Sequence, residues 1–197
     1  MRRMPATERR DRLVAATADL FLDRGLAATT TRDVTAKLGV GVGLLSHYFT
    51  WSELRAAAFE VIVRGDIERS LMDLVDTPAR SVAAGLLNDA FRLEGDPVWR
   101  CWIEASDLAS KDPALAAAVA RCTDLWQTAI ADLLRRGVAE RAWTCIDPIG
   151  SSWRLIALLD GLVGLVTAPE ARLTRADAQA YLATALGHEC VGFTPPA

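Results

Sequence analysis

The fold of this 197-residue chain is decided by residues 29–49, which read TTTRDVTAKLGVGVGLLSHYF. Thr30 can accept a hydrogen bond from the N–H of Asp33, and Asp33 suits the positive end of a helix dipole, so this pair predicts the start of a short helix. Gly39 can adopt the left-handed conformation that ends such a helix. A second short helix is expected at about Val42–Phe49. Two short helices joined by a glycine turn predict a helix-turn-helix, although an ordinary corner between two helices has the same spacing.

Helical segments are also predicted on both sides of this motif. Apolar residues make up 51% of the chain, alanine and leucine abound and β-branched runs are short, which favours helices around a sizeable core. Two helices are expected to start at an aspartate followed by proline, Asp112 and Asp147. We therefore expect an all-α protein of about nine helices, with a three-helix head at residues 1–51 and a second helical domain at residues 52–197. The other predicted helices lie at about 7–24, 52–74, 79–92, 98–110, 113–140, 147–167 and 174–188.

Charge is distributed unevenly along the chain, which carries a formal net charge of −3. Residues 1–50 hold eight Arg or Lys residues against five Asp or Glu, a balance of +3, whereas the remaining residues hold fourteen against twenty, a balance of −6. A basic head on an acidic body is expected when only the head meets phosphate. The same pattern also fits a charged N-terminal tail in solvent.

No catalytic motif is visible in the sequence. There is no nucleophile elbow, phosphate-binding glycine loop or HExxH pattern, so we expect no catalytic residues and no cofactor. The N-terminus lacks an apolar signal region, and the apolar stretch Leu155–Val166 is judged too short to cross a bilayer, which predicts a cytoplasmic protein with no membrane partner. The cysteines are far apart in sequence and lack metal-site spacing, which predicts reduced thiols and no metal. They are Cys101, Cys122, Cys145 and Cys190.

Three short runs in the head closely resemble the TetR family of bacterial repressors. The match covers about residues 8–60. Two further runs, Ser46–Phe49 (SHYF) and Ile156–Leu162 (IALLDGL), are similar to the BetI-like branch. The resemblance implies a ligand-responsive transcriptional repressor that binds double-stranded operator DNA. The three runs are Thr29–Val34, Leu38–Val40 and Gly43–Phe49, set against the family patterns T-T-x-x-x-I-A, A-G-V-S and G-x-L-Y-x-H-F.

The resemblance also implies which residues read DNA. It identifies Val42–Phe49 as the recognition helix, in which Leu45 and Phe49 face the core because they are four residues apart. Exposed Val42 and Leu44 suit thymine methyl groups, and Gly43 would let the backbone approach the duplex closely. The DNA contacts implied in this way are Thr31, Arg32, Val42, Gly43, Leu44, Ser46, His47 and Tyr48.

Two departures from the family pattern bear on DNA affinity. Gly41 stands where the family has Ser or Thr, so the N-terminal cap of the recognition helix is weaker. The Lys of the family run F-x-x-K-x-x-L is absent after Phe49, so a phosphate contact is lost or Arg55 replaces it. Affinity then depends more on an N-terminal arm of arginines, which is otherwise a disordered tail. Those arginines are Arg2, Arg3, Arg9 and Arg10.

A homodimer is implied because helix-turn-helix proteins match the two-fold symmetry of a pseudo-palindromic operator. By resemblance, the helices at 147–167 and 174–188 form the dimer. Gly161 and Gly164 would permit a close approach of helices, and plain monomer core is the alternative for the apolar residues. The apolar residues assigned to this surface are Leu155, Ile156, Leu159, Leu162, Val163 and Val166.

A small-molecule effector is expected to bind among the middle helices, at about residues 79–140, with the first dimer helix as a wall. Aromatic rings with a carboxylate suit a cation such as a quaternary ammonium, and the BetI resemblance implies choline-like effectors. The alternative is that each tryptophan is a core residue and that Asp160 caps a helix or pairs with an arginine. The candidate effector residues are Trp99, Trp102, Glu104, Trp126, Trp153 and Asp160.

A competing interpretation keeps the helical fold without DNA reading. The missing Lys, Gly41 and the negative net charge also fit a helical ligand- or partner-binding protein whose reading head is weakened or lost.

Overall fold

The structure is a computed structural model that describes residues 5–72, 74 and 76–194. Within this part of the chain there are nine α-helices and no strand longer than one isolated antiparallel bridge, between Thr144 and Val191. The expectation of an all-α protein is therefore confirmed. The helices are α1 Ala6–Arg24, α2 Thr31–Leu38, α3 Val42–Tyr48, α4 Trp51–Ile67, α5 Ala79–Asp89, α6 Asp96–Ala109, α7 Pro113–Ala139, α8 Pro148–Thr167 and α9 Arg175–Glu189.

The predicted helix bounds agree with the structure to within three residues except at the end of α4. The prediction extended this helix to residue 74, but the α-helix ends at Ile67 and continues as a π-helical turn, Glu68–Met72. The two aspartate–proline starts are confirmed. Asp112 Oδ1 accepts the Leu115 N–H at 3.2 Å, and Asp147 Oδ1 accepts the Gly150 N–H at 3.0 Å.

The chain forms two compact units. The first contains the described residues up to Gly65 together with Pro97–Cys122, and the second contains Asp66–Asp96 and the chain from Thr123 onward. The first unit therefore includes α6, which lies far beyond residue 51 in the sequence. Its N-terminal part has a core drawn from α1, α2, α3 and α4, which fixes the head. That core consists of Leu13, Leu20, Val34, Leu45, Phe49 and Leu54.

The second unit has a buried tryptophan in the loop between α7 and α8. The Trp143 ring is buried in this loop, and its Nε1 donates a hydrogen bond to the Leu134 carbonyl at 3.1 Å. The ring also meets the edge of Phe193, with ring centroids 5.7 Å apart. Gly137 leaves room for this indole, because a Cβ there would lie 1.9 Å from Trp143 Cζ2.

Helix α8 presents a different face to solvent from the one predicted. Leu155, Leu162 and Val163 were assigned to a dimer surface, but all three are buried inside the unit. The opposite side of α8 is exposed. Its residues recur three or four positions apart, which places them on one face of the helix. Among the described residues, α8 is also the one helix long and apolar enough to cross a membrane, so the estimate from residues 155–166 was too short. The exposed side carries Ile149, Trp153, Ala157, Gly161, Gly164 and Leu165.

Candidate nucleic-acid interface

Helix α2 is fixed at both ends by its own residues. The Thr30 hydroxyl accepts the Asp33 N–H at 3.3 Å, and Asp33 Oδ2 accepts the Thr30 N–H at 2.8 Å, so the predicted cap is a complete capping box. The hydrogen bonds from Thr30 hold the pKa of Asp33 below its ordinary value, and nearby Arg24 acts in the same direction. At the other end Gly39 has a φ of 64° in the left-handed region. The expected start and stop of α2 are confirmed.

Helix α3 has no comparable support from its own caps. It contains seven residues, and Gly41 at its N-terminus provides no side-chain hydrogen bond. Leu45 and Phe49 point inward and are 2% and 7% exposed, as their spacing predicted. Packing rather than capping therefore stabilises this helix, since so short a segment is marginal alone.

The C-terminal end of α3 is held by an arginine from α1. Arg10 Nη1 donates to the Tyr48 carbonyl at 2.8 Å, and its guanidinium lies 4.0 Å from the centroid of the Phe49 ring. A cation at this end of a helix is favourable because the last carbonyls are unsatisfied and partly negative. Arg10 was predicted as part of a DNA-binding arm. In the structure it also positions α3.

Five of the six α3 residues that the sequence assigned to DNA contacts are exposed or half-buried away from the core of the head, whereas the sixth, Tyr48, packs against that core. Val42 is an apolar residue, and its side chain is 49% exposed. Gly43, Ser46 and His47 are exposed, and Leu44 and Tyr48 are half-buried. A Cβ on Gly43 would meet nothing within 4 Å, so this part of the backbone is open to a large partner.

The first two residues of α2, Thr31 and Arg32, directly follow Thr30 of the capping box. Thr31 is half-buried at the first helical position, and Arg32 is exposed. Within the described residues the Arg32 side chain has no hydrogen bond or ion pair. By contrast, Lys37 pairs with Asp19 at 3.0 Å and Arg24 pairs with Asp33 at 3.2 Å. Arg32 is thus a cation of the head that is free to contact a phosphate.

Arg55 does not fill the place of the absent lysine. Its guanidinium forms an ion pair with the buried carboxylate of Asp112, which also accepts a hydrogen bond from the Ser52 hydroxyl. This alternative from the sequence is wrong, because the charge is used to hold α4 against the start of α7. Arg9 is half-buried in α1. Arg2 and Arg3 lie outside the described residues.

Residues of α6 form hydrogen bonds with the end of α1 and the turn after it, within the same compact unit. Arg100 Nη2 donates to the Leu22 carbonyl at 2.8 Å, and Glu104 Oε2 accepts the Ala27 N–H at 2.9 Å. These contacts join residues about 77 positions apart, and no local sequence signal announces them. Glu104 was a candidate effector residue, and in the structure its carboxylate also positions the turn between α1 and α2.

The other candidate effector residues differ in their surroundings. Trp99 is half-buried on α6, and Trp102 is half-buried against Phe59, with ring centroids 5.4 Å apart. Trp126 on α7 is half-buried, Trp153 on α8 is 43% exposed, and Asp160 on α8 is exposed. Three of the six candidates belong to each compact unit. Across the described chain, no group of three or more His, Cys, Asp and Glu side chains is arranged to hold a metal ion.

Two protein families match this chain, and the two matches together cover most of its length. Residues 13–51 match the family of bacterial regulatory proteins called tetR, and residues 79–191, more than half of the chain, match the C-terminal domain of the BetI-type transcriptional repressors. The transcriptional regulator CymR of Pseudomonas putida is 27% identical over 159 residues, covering 80% of this chain and 78% of its own. The repressor KstR2 of Mycolicibacterium smegmatis is 47% identical over 45 residues, 23% of this chain and 22% of its own.

Solved structures show the same architecture. A TetR-family transcriptional regulator from Rhodococcus sp. superposes with a TM-score of 0.75 at 27% identity, covering 93% of this chain and 98% of the other. A transcriptional regulator from Saccharomonospora viridis, solved in complex with choline, superposes with a TM-score of 0.73 at 20% identity over 93% and 98% of the two chains. The second likeness bears on the fold alone.

Proposed function

Because the chain belongs to the TetR family of bacterial transcriptional regulators and has a C-terminal domain of the BetI type, we propose that it is a DNA-binding repressor that leaves its operator when a small molecule binds. The observation that carries this proposal is the outward side of α3. An apolar side chain, Val42, stays 49% exposed there on a short helix whose inward side is locked into the head. Such a rigid, exposed helix suits insertion into the major groove.

The contacts with DNA divide into two kinds. Val42 and Leu44 meet thymine methyl groups, while Ser46 or His47 reaches a base edge or a phosphate. Thr31, Arg32 and Tyr48 contact phosphates, and Gly43 admits the backbone of the duplex. The free guanidinium of Arg32 supports its assignment, because phosphate contacts position a protein without reading sequence.

The active form is a homodimer that reads two half-sites of a pseudo-palindromic operator. The exposed side of α8 supports this, with Ile149, Trp153 and Leu165 each 43–59% exposed. Gly161 and Gly164 lie on the same side, and a Cβ added to either meets nothing within 4 Å. A second copy of α8 can therefore approach closely. We assign this apolar side to the dimer and not to a membrane.

Effector binding acts on the head by population shift. The effector must bind the DNA-incompetent state more tightly than the competent one, since equal binding would change nothing. Helix α6 supports such coupling because it lies within the BetI-type region and its Arg100 and Glu104 hold the end of α1. The candidates for effector contacts remain Trp99, Trp102 and Glu104 in the first unit and Trp126, Trp153 and Asp160 in the second. A cation such as choline is the first probe, followed by aromatic compounds and antibiotics.

The family consists of transcriptional regulators, and we propose that this chain has no catalytic activity, requires no cofactor and acts in the cytoplasm. Ligand binding is measurable by thermal shift, because a ligand that binds only the folded state raises its stability by about 2.7 kcal/mol at 100 times its Kd. A rise with choline and none with the uncharged analogue 3,3-dimethyl-1-butanol would support a cation site.

DNA binding is tested by fluorescence anisotropy on the DNA upstream of the protein's own gene across a range of salt concentrations. Arg32→Ala should weaken binding on every sequence and lower the salt slope by about two for a dimer, because each protomer loses one phosphate contact. The matched control is Arg172→Ala, which removes an exposed arginine outside the head and should change neither quantity. Failure of the wild type to bind any intergenic DNA at low salt would favour a helical ligand-binding protein that does not read DNA.

Dimer formation is tested by analytical ultracentrifugation. Gly164→Glu places a charge on the exposed side of α8 and should yield monomers that still fold, because the new side chain points into open space. Gly85→Glu is the matched control, since a Cβ at that helical glycine also meets nothing within 4 Å, and this variant should stay dimeric. Dimers of unchanged affinity in Gly164→Glu would refute the assigned surface.

A further inference from the structure

Two of the four cysteines lie opposite each other where the α7–α8 loop meets the segment after α9. Thr144 and Val191 exchange both of their backbone hydrogen bonds, at 2.8 and 2.9 Å, so they form a hydrogen-bonded antiparallel pair. This bridge is isolated, and Cys145 and Cys190 are the residues that adjoin it on the two segments. The Cys145 side chain is close enough to form a hydrogen bond with the Cys190 thiol. Two cysteines can form a disulfide when their Cα atoms lie about 4.4–6.8 Å apart, a range that includes the spacing of about 4.5 Å typical of residues next to a hydrogen-bonded antiparallel pair.

The two thiols differ in accessibility. Cys190 is fully buried, whereas Cys145 is 7% exposed and is followed by the fully exposed Ile146. Burial raises the pKa of the Cys190 thiol to about 12, and Cys145 and Glu189 act in the same direction, the former also through a side-chain hydrogen bond. Cys145 Sγ also lies 3.5 Å from Ser151 Oγ, to which it donates. Cys145 is therefore the thiol that a small reagent reaches first, and Cys190 is the neighbouring thiol that can form a disulfide with it.

We propose that Cys145 and Cys190 are a modification site at which a hydroperoxide forms an intramolecular disulfide. Cys145 attacks one peroxide oxygen, the O–O bond breaks, and water or an alcohol leaves as Cys145 becomes a sulfenic acid. Cys190 then attacks the Cys145 sulfur, the S–O bond breaks, and a second water leaves with the Cys190 proton. The two thiols lose two electrons in total, and the peroxide gains them.

The remaining cysteines provide internal controls. Cys101 and Cys122 are buried in the other compact unit, and burial raises their thiol pKa values to about 11 and about 12. Cys101 donates to the Phe21 carbonyl at 3.4 Å. Neither has an opposed cysteine comparable to the 145–190 pair.

A disulfide at this site would join the loop before α8 to the segment after α9. Next to these segments, the start of α8 and the end of α9 are already linked by polar contacts, because Ser151 donates to Glu189 Oε2 at 2.6 Å and Arg154 donates to Glu189 Oε1 at 2.5 Å. Oxidation would make the link covalent without a change in backbone pairing.

The test treats the folded full-length protein with hydrogen peroxide, blocks the remaining thiols, and maps peptides by mass spectrometry without reduction. We expect the number of reactive thiols after unfolding to fall from four to two, with a Cys145–Cys190 linked peptide and a mass loss of about 2 Da that dithiothreitol reverses. The control variant Cys101→Ala with Cys122→Ala should lose both of its thiols in the same way.

Cys190→Ser removes the second thiol, so Cys145 should stop at a sulfenic acid that dimedone labels. The peptide map of the wild type decides the question even if this variant does not fold. Four free thiols after treatment, or a disulfide that includes Cys101 or Cys122, would overturn the proposal. Neither result depends on whether the protein binds DNA.

Discussion

Replacing Asp112 tests how α4 is held against the start of α7. The Asp112 side chain is 5% exposed and accepts hydrogen bonds from the Ser52 hydroxyl, the Arg55 guanidinium and the Leu115 N–H. Burial raises the pKa of Asp112, but the hydrogen bonds outweigh it, so the net pKa lies below the ordinary value. The carboxylate is therefore charged in the folded protein at neutral pH.

The expected loss follows from the partners that each substitution leaves behind. Asp112→Ala removes the cap of α7, worth about 1 kcal/mol, and strands Arg55, whose side chain is only 21% exposed. Removing one partner of a fully buried pair costs about 3–5 kcal/mol, and the cost is smaller here because the pair is partly exposed. Together with the lost cap, we expect a total destabilisation of about 3–5 kcal/mol. Asp112→Asn keeps an oxygen acceptor and should cost about 1–2 kcal/mol. Ser52→Ala should cost about 1 kcal/mol.

The free energy of unfolding is measured by guanidinium denaturation at a fixed protomer concentration, since a dimer is stabilised by mass action. The folded pKa of Asp112 is depressed, so its contribution is present above the unfolded pKa of about 3.9 and is lost as the pH falls below it. The difference between wild type and Asp112→Asn should therefore shrink in acid. A loss under 1 kcal/mol for Asp112→Ala, or equal losses for Ala and Asn, would refute this reasoning.

Four further substitutions have defined outcomes. Gly39→Ala should lower the free energy of unfolding by about 1 kcal/mol because φ is 64° there, whereas Gly43→Ala should not lower it, and equal effects in denaturation curves would contradict the backbone argument. Gly137→Ala should cost about 2–3 kcal/mol and alter tryptophan fluorescence, since its Cβ would displace Trp143; an unchanged spectrum and Tm would count against this. Glu189→Gln should lower the free energy of unfolding by about 1–2 kcal/mol at pH 7, because hydrogen bonds from Arg154 lower the folded pKa of Glu189 from 4.5 to about 2. This loss of stability should disappear as the pH falls from 4.5 to about 2. A loss that does not depend on pH would disprove the assignment.

The head was predictable because its determinants are local. Thr30 and Asp33 are three residues apart, Gly39 ends its own helix, and Leu45 and Phe49 are one helical turn apart. Arg10 on Tyr48 and Glu104 on Ala27 were not predictable, because these contacts join residues 38 and 77 positions apart and depend on the tertiary packing. The same holds for the Arg55–Asp112 pair, where a charge suited to phosphate is used inside the protein.

Helix α8 shows why the second domain was harder to predict. Apolar residues occur on both of its sides, so hydrophobic periodicity cannot say which side faces the core. Leu155 and Leu162 are buried while Trp153 and Leu165 are exposed, and the residues differ little in chemistry. Three-dimensional packing alone separates the two sides.

The weak ends of α3 have a consequence for how this protein changes over generations. Its seven residues owe their helical form to Leu45, to Phe49 next to it and to Arg10, none of which points outward. The side chains at the outward positions 42, 43, 46 and 47 do not pack into the core of the head. Their side chains are therefore open to replacement without loss of the helix. A duplicated copy of the gene could acquire a new target sequence through a few such replacements while its fold stayed the same.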